Sequence, residues 1–300
     1  MARKLKLGII GMSEGNGHPY SWSAIFNGYD PAVMKECPFP VIPEYLSKQS
    51  FPEDGLGHLG KVTHIWTQDQ SISNHVAEAS RIDNVVDNIL GMTSEVDAVL
   101  LARDDAENHY NIALPVLEAG LPIYIDKPLA LTVKKAEQLF KSQHFESQIF
   151  SCSAFRFANE IRLTEGEKSQ IGDLKLIETQ IPKSWKKYSV HLIEGIVGNG
   201  LNNNEELKNV YVSRKGDVCK AEIDWETLKA FVTTYGKYQM PFSITYFGEL
   251  NCLTKQTIDT YRCFKEALRN FVEGVNNHQI KIPRSETTDI VKIIEKGVNA

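Results

Sequence analysis

Paired cysteines are missing from this chain. Cys37, Cys152, Cys219, Cys252 and Cys263 are scattered with no C-x-x-C pair, and their odd number leaves one over under any pairing. That pattern speaks against a disulfide framework or a cysteine zinc site, and for reduced, mostly buried thiols. Long apolar runs are missing too. Val99-Leu100-Leu101-Ala102 is typical of the longest, far short of the roughly 20 residues a membrane-spanning helix needs. The amino terminus, Met1-Ala2-Arg3-Lys4-Leu5-Lys6, is basic but leads into a short segment closed by Gly8 and Gly11, unlike a signal peptide. Nor is there an excess of one charge: 33 Lys and Arg stand against 38 Asp and Glu, a net charge of -5. Nothing is built to neutralise a nucleic-acid backbone or an anionic membrane, so the expectation is a water-soluble cytoplasmic protein without either partner.

What is present is an ordinary globular composition, 42% apolar and 24% charged over 300 residues, with room for about two domains. The first half alternates short β-branched runs with helical patterns. Strands are expected at Leu5 to Ile10, Val62 to Trp66, Asn84 to Val86, Val96 to Ala102, Pro122 to Ile125 and Gln148 to Ala154. Helices are expected at Pro19 to Gly28, Ile72 to Arg81, Ala106 to Ala119 and Val133 to Ser142. This alternation with fully apolar strands predicts an α/β, doubly wound parallel sheet of the Rossmann type. Between Asp30 and Gly60 five prolines interrupt the pattern, which reads as an inserted loop or lid holding one short helix. Beyond Phe157 strands follow one another without helices between them: Leu174 to Thr179, Asn209 to Ser213, Val218 to Ile223 and Ser243 to Phe247. An amphipathic helix, Thr257 to Val275, comes after them. The second half is expected to be an α+β domain on a mainly antiparallel open sheet. The division falls near residue 150, giving residues 1–150, including the insertion at 30–60, and residues 151–300.

The first strand runs into Gly8-Ile9-Ile10-Gly11-Met12-Ser13-Glu14-Gly15-Asn16-Gly17-His18. A dinucleotide-binding turn needs small residues there, so that the backbone can approach a pyrophosphate at the start of a helix. Ser13 takes the place of the second glycine and the loop is lengthened. Gly11, Met12, Ser13, Gly15, Gly17 and His18 are the candidate cofactor contacts. Asp69, just beyond the second strand, is the candidate for the adenosine ribose. No Arg or Lys lies between Gln68 and Ala79, which favours NAD and leaves NADP possible.

The most specific stretch joins Val96-Asp97-Ala98-Val99-Leu100-Leu101-Ala102, then Asn108-His109, then Leu117-Glu118-Ala119-Gly120, and finally Ile123-Tyr124-Ile125-Asp126-Lys127-Pro128-Leu129-Ala130. In order and spacing it resembles the Gfo/Idh/MocA oxidoreductases, which carry a Glu-Lys-Pro triplet at this point. Here the triplet is Asp126-Lys127-Pro128, and Asp104-Asp105-Ala106 replaces the family's Thr-Pro-Asn. Ser153-Ala154-Phe155-Arg156-Phe157 and Ile171-Gly172-Asp173 continue the likeness, which covers most of residues 5–195. The resemblance implies that Lys127 hydrogen-bonds the reacting oxygen beside the nicotinamide. It also sets Arg103, Asp104, His109, Asp126 and Lys127 itself on the cofactor side.

A second catalytic candidate is His191. The family commonly has Asp-x-x-x-His here; Lys187 stands in place of the Asp, and Tyr188 matches a variant with tyrosine three residues before the histidine. Residues three and four apart share a helix face, so Tyr188 is a further candidate for moving the proton, a task to which imidazole is well suited. Arg156, Trp185 and Lys187 are candidate substrate contacts. No metal-ligand spacing is present among the histidines. The function expected is NAD(P)-dependent hydride transfer to or from a hydroxyl or carbonyl of a sugar, cyclitol or nucleotide-sugar, in a cleft between the domains. By resemblance the protein would form a homodimer or homotetramer. The alternative is a non-catalytic dinucleotide or sugar sensor on the same fold.

Overall fold

Leu5, Leu7, Ile9 and Ile10 are all but inaccessible while Lys6 is exposed, and the strand they form is central to a six-stranded parallel sheet. The computed structural model describes residues 3–300; Met1 and Ala2, which open the basic amino-terminal segment, lie outside the described residues. The chain runs β1 (Leu5–Ile10), α1 (His18–Asn27), α2 (Pro31–Met34), α3 (Val41–Leu46), β2 (Gly60–Trp66), α4 (Gln70–Ala79), β3 (Asn84–Val85) and α5 (Ile89–Thr93). It continues through β4 (Ala98–Leu101), α6 (His109–Glu118), β5 (Ile123–Ile125), α7 (Val133–Lys141) and β6 (Ile149–Phe150). The strand order is β3-β2-β1-β4-β5-β6. The direction of winding reverses between β1 and β4, so the loops leaving those two strands flank the crevice where such sheets bind ligands.

The Pro-rich segment departs from expectation. It holds two short helices, and Met34, Leu46 and Leu56 within it have no accessible surface. The Leu56 amide donates to the Ile25 carbonyl at 2.7 Å, and Tyr45 Oη to Ser21 Oγ at 2.5 Å. The segment is therefore core packed on α1, not a lid. Prolines interrupt helices but do not prevent the apolar residues between them from being buried.

The remaining elements are α8 (Glu165–Ile171), β7 (Leu174–Ile181), α9 (Trp185–Val197), β8 (Asn209–Lys215), β9 (Val218–Asp224), β10 (Lys229–Thr234), β11 (Ser243–Gly248), β12 (Cys252–Lys255), α10 (Thr260–Asn277) and α11 (Arg284–Val298). The second sheet has the order β12-β11-β7-β10-β9-β8, antiparallel except between β7 and β10. Four elements here, β10, β12, α8 and α11, are additional to the expected ones. β10 buries Ala230, Val232, Thr233 and Thr234, β12 is a four-residue edge strand, and α11 buries Ile290, Val291, Ile293 and Ile294. α8 is announced by a capping box between Thr164 and Glu167.

Two compact units result. The first takes residues up to Leu129, Glu137–Cys152 and Phe264–Pro283; the second takes Ala130–Ala136, Ser153–Cys263 and Arg284–Ala300. A single division near 150 is thus replaced by a chain that changes unit repeatedly. The apolar stripe of α10 reveals that it buries a face, but not against which sheet. From Phe264 onward it belongs with the first unit, where the Phe271 ring lies 5.8 Å from those of Tyr124 and Phe150. No helix among the described residues is long and apolar enough to cross a membrane.

Candidate functional site

In the first unit the loop leaving β1 is shaped by its glycines. A Cβ on Gly11 would stand 2.4 Å from Pro19 Cγ, so only glycine lets the loop pack against the start of α1. Gly15 has φ +78°, and a Cβ there would meet nothing within 4 Å. This is an open bend of the kind that lets a phosphate approach backbone. Met12 is held by Gln68, which accepts from its amide at 3.0 Å and donates to its carbonyl at 2.7 Å. Arg103 donates to Gln68 Oε1 at 3.0 Å and forks onto Asp105 at 2.9 and 2.7 Å. Burial would raise the Asp105 carboxyl, but hydrogen bonds from Arg103 and Asn108 outweigh it and hold the group below its ordinary range.

Asp69 stands beyond the end of β2 and caps α4, accepting from the Ser71 hydroxyl at 2.6 Å and the Ser71 amide at 2.8 Å. Those bonds hold its carboxyl below the usual range while leaving it exposed. An exposed carboxylate at the end of β2 and an open glycine bend beside a helix start fit the adenosine half of a dinucleotide.

Further along the same sheet edge, Asp104, Asp126 and Lys127 are all buried. Lys127 Nζ lies 3.3 Å from Asp104 Oδ2, and the other oxygen of Asp104 accepts from the Ser13 hydroxyl at 2.8 Å. Ser13 in turn accepts from the Asp104 amide at 3.1 Å. The serine in the second glycine's place thus ties the β1 loop to the loop after β4. Asp126 accepts from the Lys127 amide at 2.7 Å, Asn16 Nδ2 at 2.8 Å and His18 Nδ1 at 2.5 Å. His109, expected at the cofactor, requires correction. It has no accessible surface, and its ring nitrogens face the carbonyls of Arg103 at 2.8 Å and Leu129 at 3.1 Å. It braces the loops after β4 and β5 from behind.

In the second unit, α9 carries His191 with Tyr188 and Lys187 one turn before it. His191 Nδ1 is 2.7 Å from Ser153 Oγ, and its ring lies 4.9 Å from that of Phe155 and 5.3 Å from that of Tyr188. Lys183 donates to Tyr188 Oη at 2.5 Å. Two expected substrate contacts are corrected here. Trp185 is 1% exposed and donates its indole N–H to the Ile294 carbonyl at 3.0 Å, which makes it core. Arg156 is buried and pairs with Glu194 at 2.6 Å and with Glu286. Its cation is engaged by two carboxylates. Burial pushes the Glu194 carboxyl up to about 6, against the lowering by Arg156 and with a further rise from Glu286.

Asn16, Gln68, Ser153 and Lys183 escaped the sequence reading. Asn16 and Gln68 are neutral amides with no motif of their own, and Ser153 and Lys183 gain their places only when separate segments fold together. Among the described residues no group of three or more His, Cys, Asp or Glu is arranged to hold a metal.

Residues 6–152 match the oxidoreductase family with an NAD-binding Rossmann fold. No curated protein matches the chain. Among solved structures, apo scyllo-inositol dehydrogenase from Lactobacillus casei is similar with a TM-score of 0.72 at 13% identity, over 99% of this chain and 95% of that one. The same enzyme with bound NAD(H) and scyllo-inositol gives 0.70 at 14% identity, over 99% and 96%. Biliverdin reductase from Synechocystis sp. PCC 6803, with biliverdin and NADP+, gives 0.70 at 12% identity over 98% of each chain. The fold is common to all three.

Proposed function

We propose, from the premise that this chain belongs through residues 6–152 to the Gfo/Idh/MocA oxidoreductases with their NAD-binding Rossmann fold, that it oxidises a CH–OH group or reduces the matching carbonyl on a small polyhydroxylated substrate of the sugar or cyclitol class. The observation that carries this reading is the buried ammonium of Lys127 beside Asp104, at the sheet edge where the winding reverses. An ammonium in that position stabilises alkoxide character on a reacting oxygen. When bound, the nicotinamide cofactor supplies the two-electron chemistry by taking or giving a hydride.

The chain's own residues do the rest. The bend at Gly15 and the loop amides around it would receive the pyrophosphate, and Asp69 the adenosine ribose. NAD is favoured over NADP because Arg103, a cation that reaches Gln68 beyond the end of β2, is already forked onto Asp105. Ser13 and Asp104 fix Lys127. In the second unit, His191 and Tyr188 are the groups able to carry the accompanying proton, and Lys187 is retained as a substrate contact. Assembly as a homodimer or homotetramer through the open sheet belongs to the same reading.

Titrating the purified protein with NADH and NADPH, following nicotinamide fluorescence, tests the first step. NAD+ reduction is then followed with a panel of inositols and aldoses, beginning with scyllo-inositol, which an L. casei enzyme of this fold binds. Tighter binding of NADH than NADPH and turnover with one polyol class are expected. No binding of either nucleotide would leave the non-catalytic sensor as the better account.

A further inference from the structure

The first unit contains a second histidine built for proton transfer, and nothing in the motif reading gave it that task. His18 opens α1, directly after the glycine loop. Its Nδ1 lies 2.5 Å from Asp126 Oδ2. Asp126 is 1% exposed, and its other two partners, the Lys127 amide and Asn16 Nδ2, can only donate. The carboxylate therefore accepts from every side, and the remaining bond must come from a protonated Nδ1. In the neutral ring this leaves the lone pair on Nε2.

The ring is fixed from three further directions. It stacks on Trp22 with centroids 5.0 Å apart and planes 16° from parallel, and the edge-on ring of Phe264 lies 4.9 Å away. Asn16 donates to Asp126 with one end of its amide and accepts the His18 backbone N–H at 2.8 Å with the other. Backbone, ring plane and tautomer are thus set by one connected network, the arrangement by which a buried carboxylate prepares an imidazole as a base. His191, by contrast, has the neutral hydroxyl of Ser153 at its Nδ1. The charged group on the His18 ring is Asp126, which the chain follows with Lys127, itself paired with Asp104.

We infer that His18 Nε2, oriented by Asp126, is the group that exchanges the substrate's proton; the residue that follows Asp126 in the chain is the lysine that polarises the reacting oxygen. The inference rests on the oxidoreductase reading above. When a CH–OH group is oxidised, the O–H bond breaks and its proton passes to Nε2, giving an imidazolium whose charge Asp126 offsets. The C–H electron pair departs with its hydrogen as hydride to the oxidised nicotinamide, leaving a carbonyl. Reduction reverses both transfers.

Two measurements on the full chain test this. In the 15N spectrum of the uniformly labelled protein, with His18 assigned by its loss in His18→Gln, the neutral ring is expected to show a protonated Nδ1 and a bare Nε2. In steady-state assays with NAD+ and the polyol that the wild type turns over, His18→Gln is expected to lower kcat about 100-fold or more at saturating NAD+, while His191→Gln has the smaller effect. A proton on Nε2 of the neutral ring, or wild-type kcat in His18→Gln, would overturn the role of His18. Failure of the wild type to bind NADH would instead overturn the oxidoreductase reading on which it rests.

Discussion

Lys127 and Asp104 face each other at 3.3 Å with side chains only 6% and 7% exposed, so the ammonium and its carboxylate are enclosed together. Removing either charge takes the ionic partner from the other where both are buried. Lys127→Ala is expected to lower turnover by about 100-fold or more, the scale of one preorganised electrostatic contact, with NADH affinity little changed. It is also expected to cost up to about 3–5 kcal/mol of stability, the penalty for leaving a buried charge without its partner. Steady-state kinetics and urea unfolding check the two effects separately. Full activity in that variant would remove Lys127 from the reaction.

Glu194 predicts a pH dependence of stability in the second unit. Its carboxyl is raised from 4.5 to about 6, principally by burial, so the folded chain holds this proton more tightly than the unfolded one. The stabilisation is complete below about pH 4.5 and is lost as pH rises through about 6. The rise of about 1.5 pH units corresponds to about 2 kcal/mol. Glu194→Gln, which cannot titrate, should lack this component. Urea unfolding of both proteins at pH 4.5, 5.5 and 7 measures it as a difference, and parallel curves would refute the assignment.

Gly17 has no room for a side chain. An added Cβ would lie 2.5 Å from both Phe39 Cδ2 and Ile42 Cδ1. Its φ of -94° suits any residue, so the whole effect of Gly17→Ala is steric, expected at about 1–3 kcal/mol of destabilisation. Trimming the obstacle with Phe39→Leu should restore part of the loss. A double-mutant cycle by chemical unfolding gives the coupling, and strict additivity would mean that the contact is absent.

The segment between residues 30 and 60 offers a plainer test. If it were a lid, shortening its apolar side chains would alter binding and leave stability alone. Leu46 and Leu56 have no accessible surface, so Leu46→Ala and Leu56→Ala should each cost about 2–5 kcal/mol. Thermal unfolding measures this directly; melting temperatures equal to the wild type's would return the segment to the surface.

Legibility followed physical locality. The parallel sheet could be read because short strand-forming runs such as Ala98–Leu101 and Ile123–Ile125 alternate with helical patterns along the chain. The candidate lysine could be read because Asp126-Lys127-Pro128 is contiguous too. What escaped depends on side chains meeting across long stretches of chain. Ser13 reaching Asp104, Gln68 reaching Met12, and Arg156 turning inward to Glu194 and Glu286 are settled by tertiary packing. A cation near a helix start reads as a ligand contact until the structure supplies two carboxylates for it, that of Glu194 buried.

The return of Phe264–Pro283 to the first unit also bears on how the protein comes into being. Phe271 is made more than a hundred residues after Tyr124 and Phe150, the rings it packs against. A ribosome that has finished Cys152 has therefore made every strand of the parallel sheet but not the helix that seals this aromatic cluster. Until the last quarter of the chain emerges, that apolar face stays wet and open to wrong partners. The dinucleotide fold, though nearly complete in the first half of the sequence, is closed only near the end of translation.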